Sequence, residues 1–412
     1  MNICGIVAEY NPFHNGHLYQ LQKAKELSCA DYTIVIMGGN FMQRGTPAIM
    51  DKYTRAKVAL SCGADLVIEL PSYYSTGSAE YFALGAVSLM EKLGAVTHIC
   101  FGSECGDINL LQKIARILLE ESPEFRDCLQ AHLRSGETYP SARTAALIKI
   151  APELSANISI LNSPNNILGI EYIKNLMKLS SPIIPLTTRR YGSGYHDMRL
   201  GINQSSATAL RQALWSGVKI SELSSQLPEQ SFRILEEYFQ SNELIHLNDF
   251  SEILYYKLLA EKEHGFADYV DVSQSLSDRI CNNIYKFDGY EAFCDLLKTK
   301  EITYSRISRC LYHILLNMRK TDLDTYINDL GVTPYARVLG FRKEASALLS
   351  EIDQRTSIPL ITKLADASQI LSAPAYEMLK KDITVNDIYS SIRASKGKVP
   401  MYNEYSTPIV II

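Results

Sequence analysis

Ala8-Glu9-Tyr10-Asn11-Pro12-Phe13-His14-Asn15-Gly16-His17 decides how the rest of the chain is read. Before it, Ile3-Cys4-Gly5-Ile6-Val7-Ala8 is a short continuous apolar run, the pattern of a strand buried on both faces. After it, Asn15 to Cys29 places Leu18, Leu21, Ala24 and Leu27 on one helical face. The stretch is thus a strand-to-helix turn. A helix start offers unpaired N–H groups and a positive dipole end, which suits phosphate. Gly16 removes a side chain where a nucleotide must approach closely. His14 and His17 lie three residues apart, on one side of the first helical turn. As donors they suit charge building on the bridging oxygen and phosphates of a departing pyrophosphate.

Outward from this turn the alternation continues. Tyr32-Thr33-Ile34-Val35-Ile36-Met37 stops at Gly38-Gly39-Asn40, Leu66-Val67-Ile68-Glu69-Leu70 at Pro71, and His98-Ile99-Cys100-Phe101 at Gly102. Ile183-Ile184-Pro185-Leu186 is a weaker fifth run. Lys52 to Cys62 and Ala79 to Leu93 are helical in pattern. Strand, helix, strand at this spacing predicts βαβ units, an α/β class and a parallel sheet. Ligands in such sheets bind beyond the carboxyl ends of the strands. After about residue 215 the strand signals fade and helical periodicity takes over, with a short Pro-containing tail from Gly397. The division expected is residues 1–215 and residues 216–412, with Gly201 to Arg211 assignable to either.

Composition excludes several classes. Of 412 residues, 46% are apolar and 21% charged, ordinary for a globular chain with ample core. No apolar run approaches the ~18–20 residues of a membrane span, and no secretory leader is visible. The net charge of -4 excludes a uniformly basic nucleic-acid binder but not a local basic patch. Nine cysteines without a CxxC pair speak against a disulfide framework or a cysteine zinc site; free thiols in a reducing cytoplasm fit. The eight histidines lack HExxH spacing, and no carboxylate cluster defines a metal site.

The turn, with His14-Asn15-Gly16-His17, resembles the HxGH nucleotidyltransferase superfamily, and Ser205-Ser206-Ala207-Thr208-Ala209-Leu210-Arg211 resembles its second signature, with Ser205 and Ala207 departing from it. Four segments in order sharpen the likeness. They are Glu9 to His17, Gly39-Asn40-Phe41-Met42-Gln43-Arg44-Gly45, Phe101-Gly102-Ser103-Glu104 and Ser163-Pro164-Asn165-Asn166-Ile167-Leu168-Gly169. Together they look like the bacterial tRNA(Met) cytidine acetate ligase family over nearly the full length. The resemblance implies a Rossmann-like nucleotidyltransferase domain followed by a mainly α-helical, tRNA-binding part. It implies that acetate and ATP form acetyl-adenylate and pyrophosphate. N4 of the wobble cytidine of elongator tRNA(Met) then attacks the acyl carbon and releases AMP.

By the same resemblance the ATP loop is Val7-Ala8-Glu9-Tyr10-Asn11-Pro12-Phe13-His14-Asn15-Gly16-His17-Leu18-Tyr19-Gln20, with His14 and His17 catalytic. Gly102, Asn165 or Asn166, and Arg189 or Arg190 would complete the nucleotide site, and Arg211 would touch phosphate. Gly39, Asn40, Gln43 and Arg44 would form the substrate and acetate loop. Gln43, Arg44, Asp51, Lys52 and Arg55 form a polar cluster after the second strand; a cation there could orient a carboxylate, and a solvated loop before a helix start is an equal reading. Mg²⁺ is expected with the ATP phosphates. No protein partner is readable.

An RNA contact needs local positive charge. Between Lys298 and Lys320 stand Lys298, Lys300, Arg306, Arg309, Arg319 and Lys320 against one acid, Glu301, with Tyr304 and Tyr312 interleaved. Arginine and aromatic side chains together bind phosphates and stack bases. Further basic groups are Arg337, Arg342 and Lys343, and Arg393, Lys396 and Lys398. Trp215, His246, His264 and His313 read as packing or surface residues. Two other functions keep the same motif: an adenylyltransferase acting on a small phosphorylated acceptor, and a nucleotide-sensing RNA-binding protein without catalysis.

Overall fold

A computed structural model describes residues 1–190, 205–397 and 399–412. Lys398 and residues 201–204 lie outside the described residues. The chain opens with β1 (Ile3–Ala8), α1 (Asn15–Ser28), β2 (Tyr32–Gly38), α2 (Lys52–Ser61) and β3 (Leu66–Leu70), and continues with helix Ala79–Lys92 and β4 (His98–Ser103). Helix Pro164–Lys178 leads into β5 (Ile184–Arg189), and helix Ala207–Trp215 follows the undescribed segment. The apolar runs form strands because parallel strands covered on both faces need no polar alternation. Ile34, Val35, Ile36, Leu66, Val67 and Ile68 are all fully buried.

The sheet order is β5-β4-β1-β2-β3-β6-β7. β1 pairs in parallel with β2 on one side and with β4 on the other. The chain therefore runs outward from β1 through β2 and β3, then crosses back to start again at β4. The point of reversal opens a crevice beyond the carboxyl ends of β1 and β4, where open α/β sheets take their ligands.

The expectation that strands end near residue 215 needs correction. Ala336–Phe341 forms β6, antiparallel to β3, and Leu360–Ile361 (β7) and Val410–Ile411 (β8) pair with β6. One sheet therefore draws strands from both sides of residue 215, although the second half is otherwise mainly helical. Arg337 and Gly340 interrupt the apolar run of β6, so its period is weak. Arg337 is tolerated because a buried ion cluster receives it. Its Nη1 lies 2.9 Å from Glu404 and 3.2 Å from Glu69. Lys52 Nζ lies 2.8 Å from Glu69 and 2.7 Å from Glu404. Two cations and two carboxylates balance inside a site where any one alone would be costly, and the tail residue Glu404 is locked to the sheet.

All nine cysteines are free thiols. No described helix is long and apolar enough to cross a membrane.

Candidate active site

The turn after β1 is built from its own side chains. His14 is the N-cap of α1, and its Nδ1 accepts the Gly16 N–H at 3.0 Å. His17 Nδ1 accepts the His14 N–H at 3.3 Å. Two imidazoles thus perform the reciprocal capping that Ser and Glu commonly share. The rings stack with centroids 3.8 Å apart, and Tyr10 and Phe13 pack against His17. With both Nδ1 atoms accepting, the neutral rings carry their protons on Nε2.

Burial and the nearby Arg190 and Arg211 cations push the His14 pKa down to about 3. Burial, His14 and the same two arginines hold His17 well below the usual histidine range. The pair is therefore neutral at physiological pH, and each ring offers an Nε2–H donor.

A cavity of about 1080 Å³, counting its open mouth, lies over this turn. Val7, Ala8, Glu9, Tyr10, Asn11, His14, His17 and Gln20 line it from β1 and α1. A second helix start faces the same space through Ser206, Ala207 and Thr208. Ser206 caps that helix by accepting the Ala209 N–H at 3.1 Å, and no acid occupies its first turn. Arg211 Nη1 donates to the Asn11 carbonyl at 2.6 Å and Nη2 to Thr208 Oγ1 at 3.2 Å. Two helix N-termini, Arg190 and Arg211 together make one end of the cavity suited to a polyphosphate.

The neighbouring candidates separate by strand geometry. Arg190 lines the cavity, and its stem lies against Gly102: a Cβ on that glycine would stand 3.2 Å from Arg190 Cγ. Arg189 turns to the other side, over Gly106. Asn165 lines the cavity, donating to Glu104 Oε1 at 2.7 Å and accepting from Arg190 Nη1 at 3.5 Å. Asn166 is buried and structural. Its Oδ1 accepts the N–H groups of Glu104 (2.9 Å) and Cys105 (3.2 Å), and its Nδ2 donates to the Ile160 carbonyl at 3.2 Å.

Other expected residues fall outside the cavity lining. Pro12 and Phe13 are buried behind it, and Asn15, Gly16, Leu18 and Tyr19 lie along α1 without lining it. Gly16 faces the His14 ring, not the open space. On the following loop Gln43 and Arg44 line the cavity, whereas Gly39 packs beside Glu69. Asn40 is buried, donating to Asn386 and accepting from the Lys52 N–H. The rest of the polar cluster is structural. Asp51 caps α2, Lys52 is ion-paired, and buried Arg55 donates to the carbonyls of Glu9, Gly38 and Gly39. Met42, Thr46, Phe82, Phe101, Leu168 and Tyr172 complete the walls. Phe82 and Tyr172 gave no sequence signal, because an apolar helix residue facing a cavity looks like core.

The basic segment splits likewise. Lys298, Lys300 and Arg306 are exposed. Arg309 lies 3.5 Å from Asp271. Arg319 sits over the Tyr269 ring at 3.9 Å and lies 3.3 Å from Glu261. Lys320 donates to the carbonyls of Ala267 and Val272. Tyr312 is fully buried against Phe41 and Tyr304 is half-buried, so neither is an open stacking platform. Of the remaining basic groups, Arg337 is buried, Arg342 lies near Asp65 and Glu344, Arg393 donates to Asn242, and Lys396 pairs with Asp249. Trp215 packs, donating to the Ile245 carbonyl.

Comparison with known proteins accords with this geometry. A family model described as HIGH Nucleotidyl Transferase matches residues 1–402. The tRNA(Met) cytidine acetate ligase of Clostridium novyi is 40% identical over 95% of this chain and 98% of its own. That of Thermoanaerobacter sp. (strain X514) is 42% identical over 95% of both. Crystal structures of Thermotoga maritima TmcAL, apo and bound with alpha-thio ATP, superpose with TM-scores of 0.93 and 0.90 at 32% identity over the whole of both chains. The chain belongs to the tRNA(Met) cytidine acetate ligase family of HIGH nucleotidyltransferases.

Proposed function

We propose that this protein activates acetate with ATP and transfers the acetyl group to N4 of the wobble cytidine of elongator tRNA(Met). The observation that carries the reading is the neutral His14–His17 pair beside Arg190 and Arg211 at two converging helix starts. ATP lies with adenosine toward Gly102 and Asn165 and phosphates toward His14, His17, Arg190 and Arg211. Acetate attacks the α-phosphorus. The Nε2–H donors stabilise charge on the leaving pyrophosphate without moving a proton. Gln43 and Arg44 orient the carboxylate. The ATP phosphates and water would hold an Mg²⁺ that offsets their charge; among the described residues no cluster of three His, Cys, Asp or Glu suits a resident ion. The amine of cytidine then attacks the acyl carbon and AMP departs. Lys298, Lys300 and Arg306 hold RNA phosphates.

The test incubates unmodified tRNA with the protein, ATP, Mg²⁺ and labelled acetate, followed by nucleoside mass spectrometry. Labelled N4-acetylcytidine is the expected product. ATP cleavage to AMP and pyrophosphate without it would remove the acceptor assignment. Absence of ATP cleavage would favour nucleotide sensing.

A further inference from the structure

Gly102 and Asn165 adjoin Arg190 in the cavity lining, and the loop after β2 adds Met42, Gln43, Arg44 and Thr46 to it. Glu9 follows directly on β1 and is the only carboxylate among the described lining residues. Its Oε1 accepts the Gln43 N–H at 2.7 Å, so the side chain is drawn toward that loop. Its backbone carbonyl accepts from Arg55 Nη1 at 2.7 Å. That same guanidinium grips Gly38 and Gly39, so the ends of β1 and β2 hold Glu9 in place. Among the described residues no hydrogen-bond donor meets Oε2, which is the oxygen open to a ligand.

A carboxylate repels both anionic substrates, the ATP phosphates and acetate. Placing one here favours a ligand that offers a proton or a cation. Among the reactants of the proposed reaction, which this inference rests on, the neutral N–H donor at the reacting centre is the cytidine amine. That amine is a weak nucleophile, because its lone pair is delocalised into the ring, and it must lose a proton as the new bond forms.

We propose that Glu9 is the catalytic base of acyl transfer, accepting the proton of the cytidine N4 amine through Oε2. The N4–C bond forms, and the bond from the acyl carbon to the phosphate oxygen of acetyl-adenylate breaks. AMP leaves with that electron pair. One amine proton passes to Glu9 and then to water. Phe82 and Tyr172 in the cavity wall limit competing water. Glu9 thus belongs to the second half-reaction, while His14 and His17 belong to the first.

Glu9→Gln tests this in the full-length protein, since glutamine keeps the volume and an acceptor for Gln43 but is no base. Two rates are read: acetate-dependent ATP–pyrophosphate exchange, and single-turnover acetylation of unmodified tRNA from supplied acetyl-adenylate. Transfer is expected to fall about 10²-fold or more, and exchange by roughly tenfold at most. Parallel loss of both would overturn the role and place Glu9 with the nucleotide or its Mg²⁺. Transfer within about threefold of wild type would overturn it too. Should E9Q unfold, Glu9→Asp keeps a base of shorter reach. It is expected to lose more of its transfer rate than of its exchange rate, and equal loss of both again overturns the role. A wild-type protein that fails to acetylate tRNA would instead remove the reaction itself.

Discussion

A Cβ placed on Gly16 would lie 2.9 Å from Cε1 and 3.0 Å from Nδ1 of His14. The glycine makes room for the imidazole that caps its own helix, and the nucleotide benefits only through that ring. Gly16→Ala should therefore displace His14. Alanine is the better helix former by ~1 kcal/mol, so thermal stability should hold while activity drops. A misplacement near 1 Å costs on the order of 10²-fold in rate. Pyrophosphate exchange and the melting temperature, measured together, check this; loss of both in proportion would mean simple unfolding.

His17→Ala removes one positioned donor. Adenylate formation should fall ~10²–10³-fold, with tRNA affinity nearly unchanged because the exposed cations Lys298, Lys300 and Arg306 are untouched. Pyrophosphate release at the wild-type rate would remove the histidines from the chemistry.

The neutral pair makes stability depend on pH in a stated direction. In the unfolded chain each imidazole takes a proton below about 6.5. In the fold His14 resists protonation down to about 3, and His17 is also held neutral. Between those values the unfolded state binds more protons, so the ligand-free protein loses stability as pH falls, by at most ~1.4 kcal/mol per pH unit for each ring. Above about pH 6.5 the contribution is complete. Denaturant unfolding from pH 7 to 4 should show this slope, and His14→Asn should flatten it.

Asn165 and Asn166 should behave oppositely. Asn166→Ala breaks two hydrogen bonds that tie helix Pro164–Lys178 to the loop after β4 and a third to the Ile160 carbonyl and should cost ~1–3 kcal/mol of stability. Asn165→Ala should leave stability within ~0.5 kcal/mol and raise the KM for ATP in the exchange assay.

Replacing Lys298, Lys300 and Arg306 together by alanine should weaken tRNA binding and flatten its salt dependence by ~2 in the slope of log K against log salt, for contacts to single-stranded RNA. The same treatment of Arg309, Arg319 and Lys320 should lower the melting temperature, since those side chains serve Asp271, Glu261 and two backbone carbonyls. Binding isotherms over a salt series, paired with thermal unfolding, distinguish the two sets.

Much of the site was legible locally. β1, the turn and α1 fall where the sequence places them, because apolar runs, a helix start and two histidines at fixed spacing are all properties of neighbouring residues. Gly102 came through the resemblance, and it stands one residue before the end of β4. The pairs Asn165/Asn166 and Arg189/Arg190 were not separable, since which neighbour faces a cavity depends on strand and helix phase against distant elements.

The sequence by itself determined the strand–turn–helix unit at the start of the chain, the α/β class and the family, because those reside in short-range pattern and motif order. Tertiary structure alone decided the fate of the charges. Lys52 and Arg55 read equally as carboxylate-orienting cations or as a solvated loop and helix start, and Arg337 as a basic group for RNA, until Glu69 and Glu404 close around Lys52 and Arg337 and three carbonyls take up Arg55. It also decided that β6 joins the sheet and that Glu9 stands as the lone described carboxylate of the cavity. The reason is physical: burial and pairing of a charge are set by partners brought from remote parts of the chain, which no local window contains.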